Sequence, residues 1–182
     1  MKLRIHYFVL LFGLTSYAFS DSICSNFEEC RKSAESGDSN SQMELGMIYA
    51  TGNGVEKDFS KANVWFLKAA LQGNRDGMFN VGVSYHTGSG IQKNHRKAVE
   101  WYEKASKQGH EKASLLLGNL FFKGEDNLRE EKSEAMAYLY YRLAAKQGSK
   151  EALEVVELIH SNMLEIEKLK SDQLFNLFIQ EW

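Results

Sequence analysis

Leu45-Gly-Met-Ile-Tyr-Ala-Thr-Gly-Asn-Gly-Val55 returns, substituted but in step, as Val81-Gly-Val-Ser-Tyr-His-Thr-Gly-Ser-Gly-Ile91, and a third time as Leu117-Gly-Asn-Leu-Phe-Phe-Lys-Gly124. The Leu/Val-Gly pairs, the aromatics Tyr49, Tyr85 and Phe121, and the glycines Gly52, Gly88 and Gly124 all stand 36 residues apart. Between them, Lys61-Ala-Asn-Val-Trp-Phe-Leu-Lys-Ala-Ala-Leu-Gln-Gly73 matches Lys97-Ala-Val-Glu-Trp-Tyr-Glu-Lys-Ala-Ser-Lys-Gln-Gly109 at the same offset. Gln147-Gly148 closes a third copy three residues late. A fixed period of this length marks a solenoid, in which one supersecondary unit stacks on the next.

Each unit reads as two helices, A then B. In the second unit they run from about 75 to 87 and from about 94 to 108. Ala98, Trp101, Tyr102 and Ala105 recur at helical spacing on helix B. Ala62, Trp65, Phe66 and Ala69 fill the same places one period earlier, and Ala137, Tyr140, Tyr141 and Ala144 fill them later. Gly46, Gly82 and Gly118 lie inside helix A, where glycine costs ~1 kcal/mol against alanine. The same cost at the same place three times implies that only a bare Cα lets helix B approach. Gly52-Asn53-Gly54 and Gly88-Ser89-Gly90 form the A–B turns. Gly73, Gly109 and Gly148 follow helix B as caps. Asp58 and Asn94 are the expected N-caps of helix B.

This pattern closely resembles the Sel1-like repeat, a relative of the tetratricopeptide repeat. Residues 45–55 and 61–73 carry it almost completely, residues 82–109 carry it again, and the likeness extends over about 40–158. The resemblance implies an all-α fold: an α/α solenoid of helical hairpins with terminal capping helices, used for protein–protein interaction and not generally enzymatic. The units fall at about 38–73, 74–109 and 110–148, with a partial unit at 149–161 and a capping segment at 162–182. In the third unit Glu125-Asp126 replaces the Gly-x-Gly turn. The stretch from Glu125 to Glu134 is richer in acids than in bases. It is either a solvated loop or an acidic contact for a cationic partner.

The first twenty residues differ from the rest. Lys2 and Arg4 precede a nearly unbroken apolar run from Ile5 to Leu14, and Ala18-Phe19-Ser20 offers a small-residue cleavage site. That is the form of a secretory signal peptide. The expected mature domain is 21–182, periplasmic or secreted. The run is shorter than the about 20 residues needed to span a bilayer, and no second long apolar run follows, so no stable membrane insertion is expected after cleavage. The formal charge of −2 leaves no basic excess for nucleic acid. Pro is absent, so no proline breaks a helix.

The ends read as caps. Ile23, Phe27, Cys30 and Ala34 form a narrow apolar stripe, with Glu29 and Ser33 where a full helix B carries Trp and Ala. Ala152, Val155, Val156 and Ile159 form a further helix A. Leu174, Phe175, Leu177, Phe178 and Trp182 form an apolar face that either packs on the last repeat or engages a partner.

Chemistry-bearing sets are scarce. His86, His95, His110 and His160 contain no i, i+4 pair, so no metal site is expected. No Ser/His/Asp or Cys/His set stands in a supporting context, and no catalytic residue or cofactor is expected. Cys24 and Cys30 are the chain's two cysteines. On one straight helix their Cα atoms would lie ~9 Å apart, beyond the ~7 Å reach of a disulfide. A bond therefore requires Cys24 to lie outside the helix. The Ser25-x-x-Glu28 pattern starts the helix just after Cys24 and permits it. Extrapolating the repeat starts the helix near Ser22 and forbids it.

By the same resemblance, the helix A residues turned away from helix B line a concave groove. Met43, Met47, Phe79, Val83, Leu115 and Phe122 would floor it, with His86 and Asn119 at its sides and Asp76 and Lys112 at its edge. These residues either form an exposed binding surface, for which Met and aromatic side chains are suited, or belong to the core. The leading expectation is a non-enzymatic scaffold that holds an unidentified protein or peptide in this groove. The alternative is an exported hydrolase or binder of cell-wall or β-lactam compounds. Some cysteine-rich Sel1-like proteins have been linked to such compounds, but no matching active-site set is present here.

Overall fold

The computed structural model describes residues 24, 26–123, 133–161 and 163–181. The expected signal peptide, Ile23, most of the acidic stretch after Glu125, and Trp182 lie outside the described residues. The described elements are all helices: α1 (Phe27–Glu35), α2 (Ser39–Thr51), α3 (Phe59–Leu71), α4 (Arg75–Thr87), α5 (His95–Lys107), α6 (Glu111–Lys123), α7 (Ser133–Lys146), α8 (Lys150–Ser161) and α9 (Glu165–Glu181). Helices α2/α3, α4/α5 and α6/α7 form three A/B hairpins. Each B helix also packs on the A helix that follows, so consecutive helices stack in order from α1 through α8.

The helix ends follow from their side chains. Asp58 and Asn94 cap α3 and α5, accepting from the backbone N–H of Lys61 (2.9 Å) and Lys97 (3.0 Å). A second series caps the A helices at the same period. Asp38 accepts from Ser41 N (2.7 Å), Asn74 from Gly77 N (2.8 Å), the His110 ring Nδ1 from Ala113 N (3.2 Å), and Ser149 Oγ from Ala152 N (3.2 Å). Gly73, Gly109 and Gly148 take φ of 89°, 80° and 109° after each B helix, a region other residues rarely adopt.

The glycines inside the A helices mark the hairpin contacts. A Cβ on Gly46 would meet the Phe66 ring at 2.5 Å, one on Gly82 the Tyr102 ring at 2.6 Å, and one on Gly118 the Tyr141 ring at 2.7 Å. Real carbon contacts run ~3.5–4.0 Å, so each aromatic ring occupies the space of a missing methyl group. The junction between units has its own small residue. A Cβ on Gly77 would stand 2.9 Å from Ala69 Cβ and from Ala70 N. Ser41, Ala113 and Ala152, the equivalents of Gly77, are small and buried as well.

The B-helix pattern is buried as its spacing predicts at Ala62, Phe66, Ala69, Ala98, Tyr102, Ala105, Ala137, Tyr140, Tyr141 and Ala144. Trp65 and Trp101 are only half-buried. The Lys68 ammonium lies 3.9 Å from the Trp65 ring centroid and that of Lys104 lies 4.1 Å from Trp101, so cations cover the outer faces of both indoles. In the third hairpin this position is Tyr140, fully buried, because Phe178 of α9 packs edge-on against it at 5.4 Å.

A glutamine at the end of each B helix ties its own hairpin together. Gln72 donates to Gln42 Oε1 (2.7 Å), and Gln42 donates in turn to the Ala34 carbonyl of the preceding helix (3.0 Å). Gln147 accepts from Ser114 (2.6 Å) and donates to the Ser106 carbonyl (2.9 Å). Gln108 reaches Met78 Sδ at 3.7 Å. Each bond spans the interface on which solenoid stacking depends.

The ends correct two expectations. α1 starts at Phe27, not near Ser22. Its cap is Asn26, which accepts from Glu29 N (2.9 Å), one residue later than the Ser25–Glu28 pattern. Cys24 thus precedes the helix and Cys30 lies in its first turn. The structure joins them in a disulfide with Cα atoms 5.0 Å apart, buried beside Ala34 and Leu45. At the other end, only part of the expected apolar face of α9 packs. Phe175 and Phe178 join the core, Ser171 is buried, and Arg142 binds Ser171 O (3.0 Å) and Asp172 (2.8 Å) while lying over the Phe175 ring. Leu174 and Leu177 are more than half exposed. Residues 171, 175 and 178 share one side of a 3.6-residue helix, with 174 at the edge of that side and 177 turned further away.

Candidate functional site

The expected groove residues occupy one series of positions on α2, α4 and α6. They are not equally open. Met47 is 37% exposed and Phe122 is 67% exposed. Met43 and Leu115 are half-buried. Phe79 and Val83 pack against the main core cluster. The Phe79 ring stacks on His110 with centroids 4.3 Å apart and meets Tyr102 at 5.8 Å, so Phe79 has a structural task as well as a face toward the groove. Asn119 accepts from the Tyr141 hydroxyl (2.9 Å), and His86 Nδ1 lies 3.4 Å from the Tyr102 hydroxyl. These two side chains hold the hydroxyls of the rings that fill the glycine notches. Sequence spacing placed them on the groove but gave no sign of that bond.

The N-terminal ends of α4 and α6 bound a cavity of about 320 Å³, lined by Arg75, Asp76, His110, Lys112 and Gln147 among others. Asp76 Oδ1 lies 3.4 Å from His110 Nε2. With Nδ1 engaged by Ala113 N and one face against Phe79, the imidazole is enclosed. Burial pushes its pKa down, Asp76 opposes that, and Arg75 and Lys112 reinforce it. The neutral ring is therefore favoured, with Nδ1 as acceptor and Nε2–H facing the Asp76 carboxylate. Burial likewise pushes the hydroxyls of Tyr102 and Tyr140 well above the usual tyrosine range, so both stay neutral.

α9 is tied to α7 by an ion pair and hydrogen bonds to Arg142 and a ring contact with Tyr140. Among the described residues, no group of three or more His, Cys, Asp or Glu side chains is arranged to hold a metal ion. No described helix is long and apolar enough to cross a membrane. The arrangement offers shape, apolar surface and a charged rim.

Known proteins share this architecture. The family model for the Sel1 repeat matches residues 39–74, 75–110 and 112–149. A Sel1 repeat protein from Oxalobacter formigenes is 39% identical and superposes with a TM-score of 0.61, covering 69% of this chain and 49% of that one. The uropathogenic Escherichia coli protective antigen c5321 is 27% identical with a TM-score of 0.55, covering 71% of this chain and 35% of the other. The secretory immunoglobulin A-binding protein EsiB of Escherichia coli O6:H1 is 39% identical over 59 residues, which is 32% of this chain and 12% of EsiB. The chain thus spans half or less of the length of these relatives. Three matched units, with their glycine notches, caps and glutamine ties in place, show that the chain belongs to the Sel1-repeat family.

Proposed function

We propose that this chain is a recognition scaffold that holds a protein or peptide along the A-helix face, acting after export to the periplasm or the outside of the cell. Sel1-repeat proteins are generally protein–protein interaction scaffolds. The observation that carries the proposal is the exposure of Met47 and Phe122 at two neighbouring turns of the A helices, flanked by the half-buried Met43, Leu115 and Val83. Large apolar side chains left open in this way mark interaction surfaces, and thioethers adapt to varied partners. The rim of Arg75, Asp76 and Lys112 supplies orientation more than affinity. The relative EsiB carries a protein ligand in its name, in keeping with a proteinaceous partner here.

The preformed helices make binding a docking of rigid surfaces, with little ordering cost. The test uses Phe122→Asp and Met47→Asp. Both positions are open, so the fold survives either change, whereas Phe79→Asp would also break the stack on His110. A partner captured by the exported protein and lost with both variants is the expected result. Equal capture by wild type and both variants would refute the groove.

A further inference from the structure

The repeat supplies its own internal control for a second surface, on the B-helix side. Val64, Leu67 and Leu71 of α3 are 54%, 40% and 74% exposed. The same three positions are Glu28, Arg31 and Glu35 in α1, where Arg31 bonds both acids, and Glu100, Glu103 and Lys107 in α5. In α7 they are the half-buried Leu139, Arg142 and Lys146. The last two positions are charged in every sister helix and apolar only in α3, where the first is also an exposed apolar residue.

The stripe borders a built cleft. Val64 and Leu67 form one wall of a cavity of about 330 Å³ whose other wall is Val81, Tyr85 and Ile91. The Gly88-Ser89-Gly90 turn closes one end. Asn63 donates to the Ser89 carbonyl (2.7 Å), and the bare Cα of Gly90 lies against the backbone of Phe59 and Ser60. Gly54, its counterpart in the first unit, has nothing within 4 Å. Tyr85 and Ile91 also line a second compartment of about 310 Å³, completed by Gln92, Lys93, Asn94 and Lys97. That compartment holds two lysines and, among its described lining residues, no acid. Lys97 Nζ lies 5.3 Å from the Tyr85 ring centroid, at the seam between the two.

We propose that this cleft binds a peptide segment in which a large apolar side chain stands next to a carboxylate. The apolar side chain enters between Val64, Leu67 and Ile91, where it leaves water. The carboxylate, from an adjacent acidic residue or a chain terminus, meets Lys93 and Lys97. The complementarity is joint: an apolar wall continuous with a cationic one, shared through Tyr85 and Ile91. The site is independent of the A-helix groove.

The test selects a random heptapeptide phage library on the protein, then measures a synthetic copy of the most enriched peptide by fluorescence anisotropy. Enriched peptides should pair a large aliphatic or aromatic residue with a neighbouring Asp or Glu. Leu67→Glu and Lys97→Glu should each weaken binding about tenfold or more, and Phe122→Asp should leave it unchanged. Leu67→Glu installs the residue that α5 already carries at Glu103, so its melting curve should match wild type. The proposal is overturned if no sequence is enriched, if enriched peptides lack the acid, if Leu67→Glu binds normally, or if Phe122→Asp rather than Leu67→Glu abolishes binding. It is also overturned if sedimentation shows a dimer that Leu67→Glu dissolves, which would give the stripe to a second copy of the chain.

Discussion

Replacing Gly82 with Ala adds one methyl group and tests how the hairpins close. The new Cβ would stand 2.6 and 2.7 Å from Tyr102 Cδ1 and Cε1, about 1 Å inside normal carbon contact. The ring has little freedom to yield: it is fully buried, Phe79 packs on it at 5.8 Å, and His86 meets its hydroxyl. Overfilling a packed core costs about 1–3 kcal/mol. Alanine returns ~1 kcal/mol of helix propensity. The net expectation is a loss of up to about 2 kcal/mol, and a fall in Tm of about 2–4 °C per kcal/mol for a chain of this size. Urea unfolding followed by circular dichroism measures it as a lower midpoint at unchanged slope. A double-mutant cycle with Tyr102→Leu isolates the clash, because in the smaller side chain's presence Gly82→Ala should become neutral or stabilising. A Gly82→Ala effect that Tyr102→Leu leaves unchanged would refute the notch, and would leave the three repeated glycines without a packing reason.

Three further outcomes follow from the same contacts. Reduction of the Cys24–Cys30 disulfide, or Cys24→Ser, should lower stability by about 2 kcal/mol, as expected for a short closed loop; unfolding curves with and without reductant that coincide would show that the bond does not tether α1. Gln147→Ala removes the amide that joins Ser114 to the Ser106 carbonyl, which keeps its bond from Gly109 N, and should cost about 0.5–1.5 kcal/mol, read as faster amide exchange along α6 and α7, whereas unchanged exchange would mean the tie is dispensable. His110 prefers to be neutral in the folded state, so its contribution is complete above the unfolded imidazole pKa of about 6.5 and is lost as pH falls below it. His110→Asn, which keeps an acceptor for Ala113 N, should flatten the slope of stability against pH there, and an unchanged slope would assign that slope to other groups.

The architecture was legible because its signals are local and repeated. The Leu-Gly and Gln-Gly pairs, the turn glycines and the caps at Asp58 and Asn94 each act within a few residues, and three copies average out the exceptions. What escaped notice depends on contacts across the period. In the sequence the glutamines mark helix ends and nothing more, whereas in the fold Gln72 and Gln147 reach back about 30 residues to Gln42 and Ser114 on their own A helices. The capping series of Asp38, Asn74, His110 and Ser149 was present at the right spacing, but an imidazole is an unusual cap and hid the pattern. The Ser25-x-x-Glu28 pattern and the extrapolated repeat give different starts for α1, and the Asn26 cap decides between them. α9 was read as one apolar face because hydrophobicity alone does not say which side a neighbour covers; Arg142 and Tyr140 fix that, and they lie on α7. The groove suffers the same limit. Spacing puts Phe79 and Phe122 in one series, yet one ring is stacked on His110 and the other is open.

The most direct test of the scaffold is site-specific photocrosslinking in the cell, with a benzophenone amino acid at Phe122, at Met47, and at the exposed Lys32 of α1 as control. A groove that recruits a protein gives one defined adduct from the first two positions and not from Lys32, and Phe122→Asp abolishes the adduct from Met47. Adducts of the same kind from all three positions, or none from the two groove positions, would contradict recognition along the A-helix face.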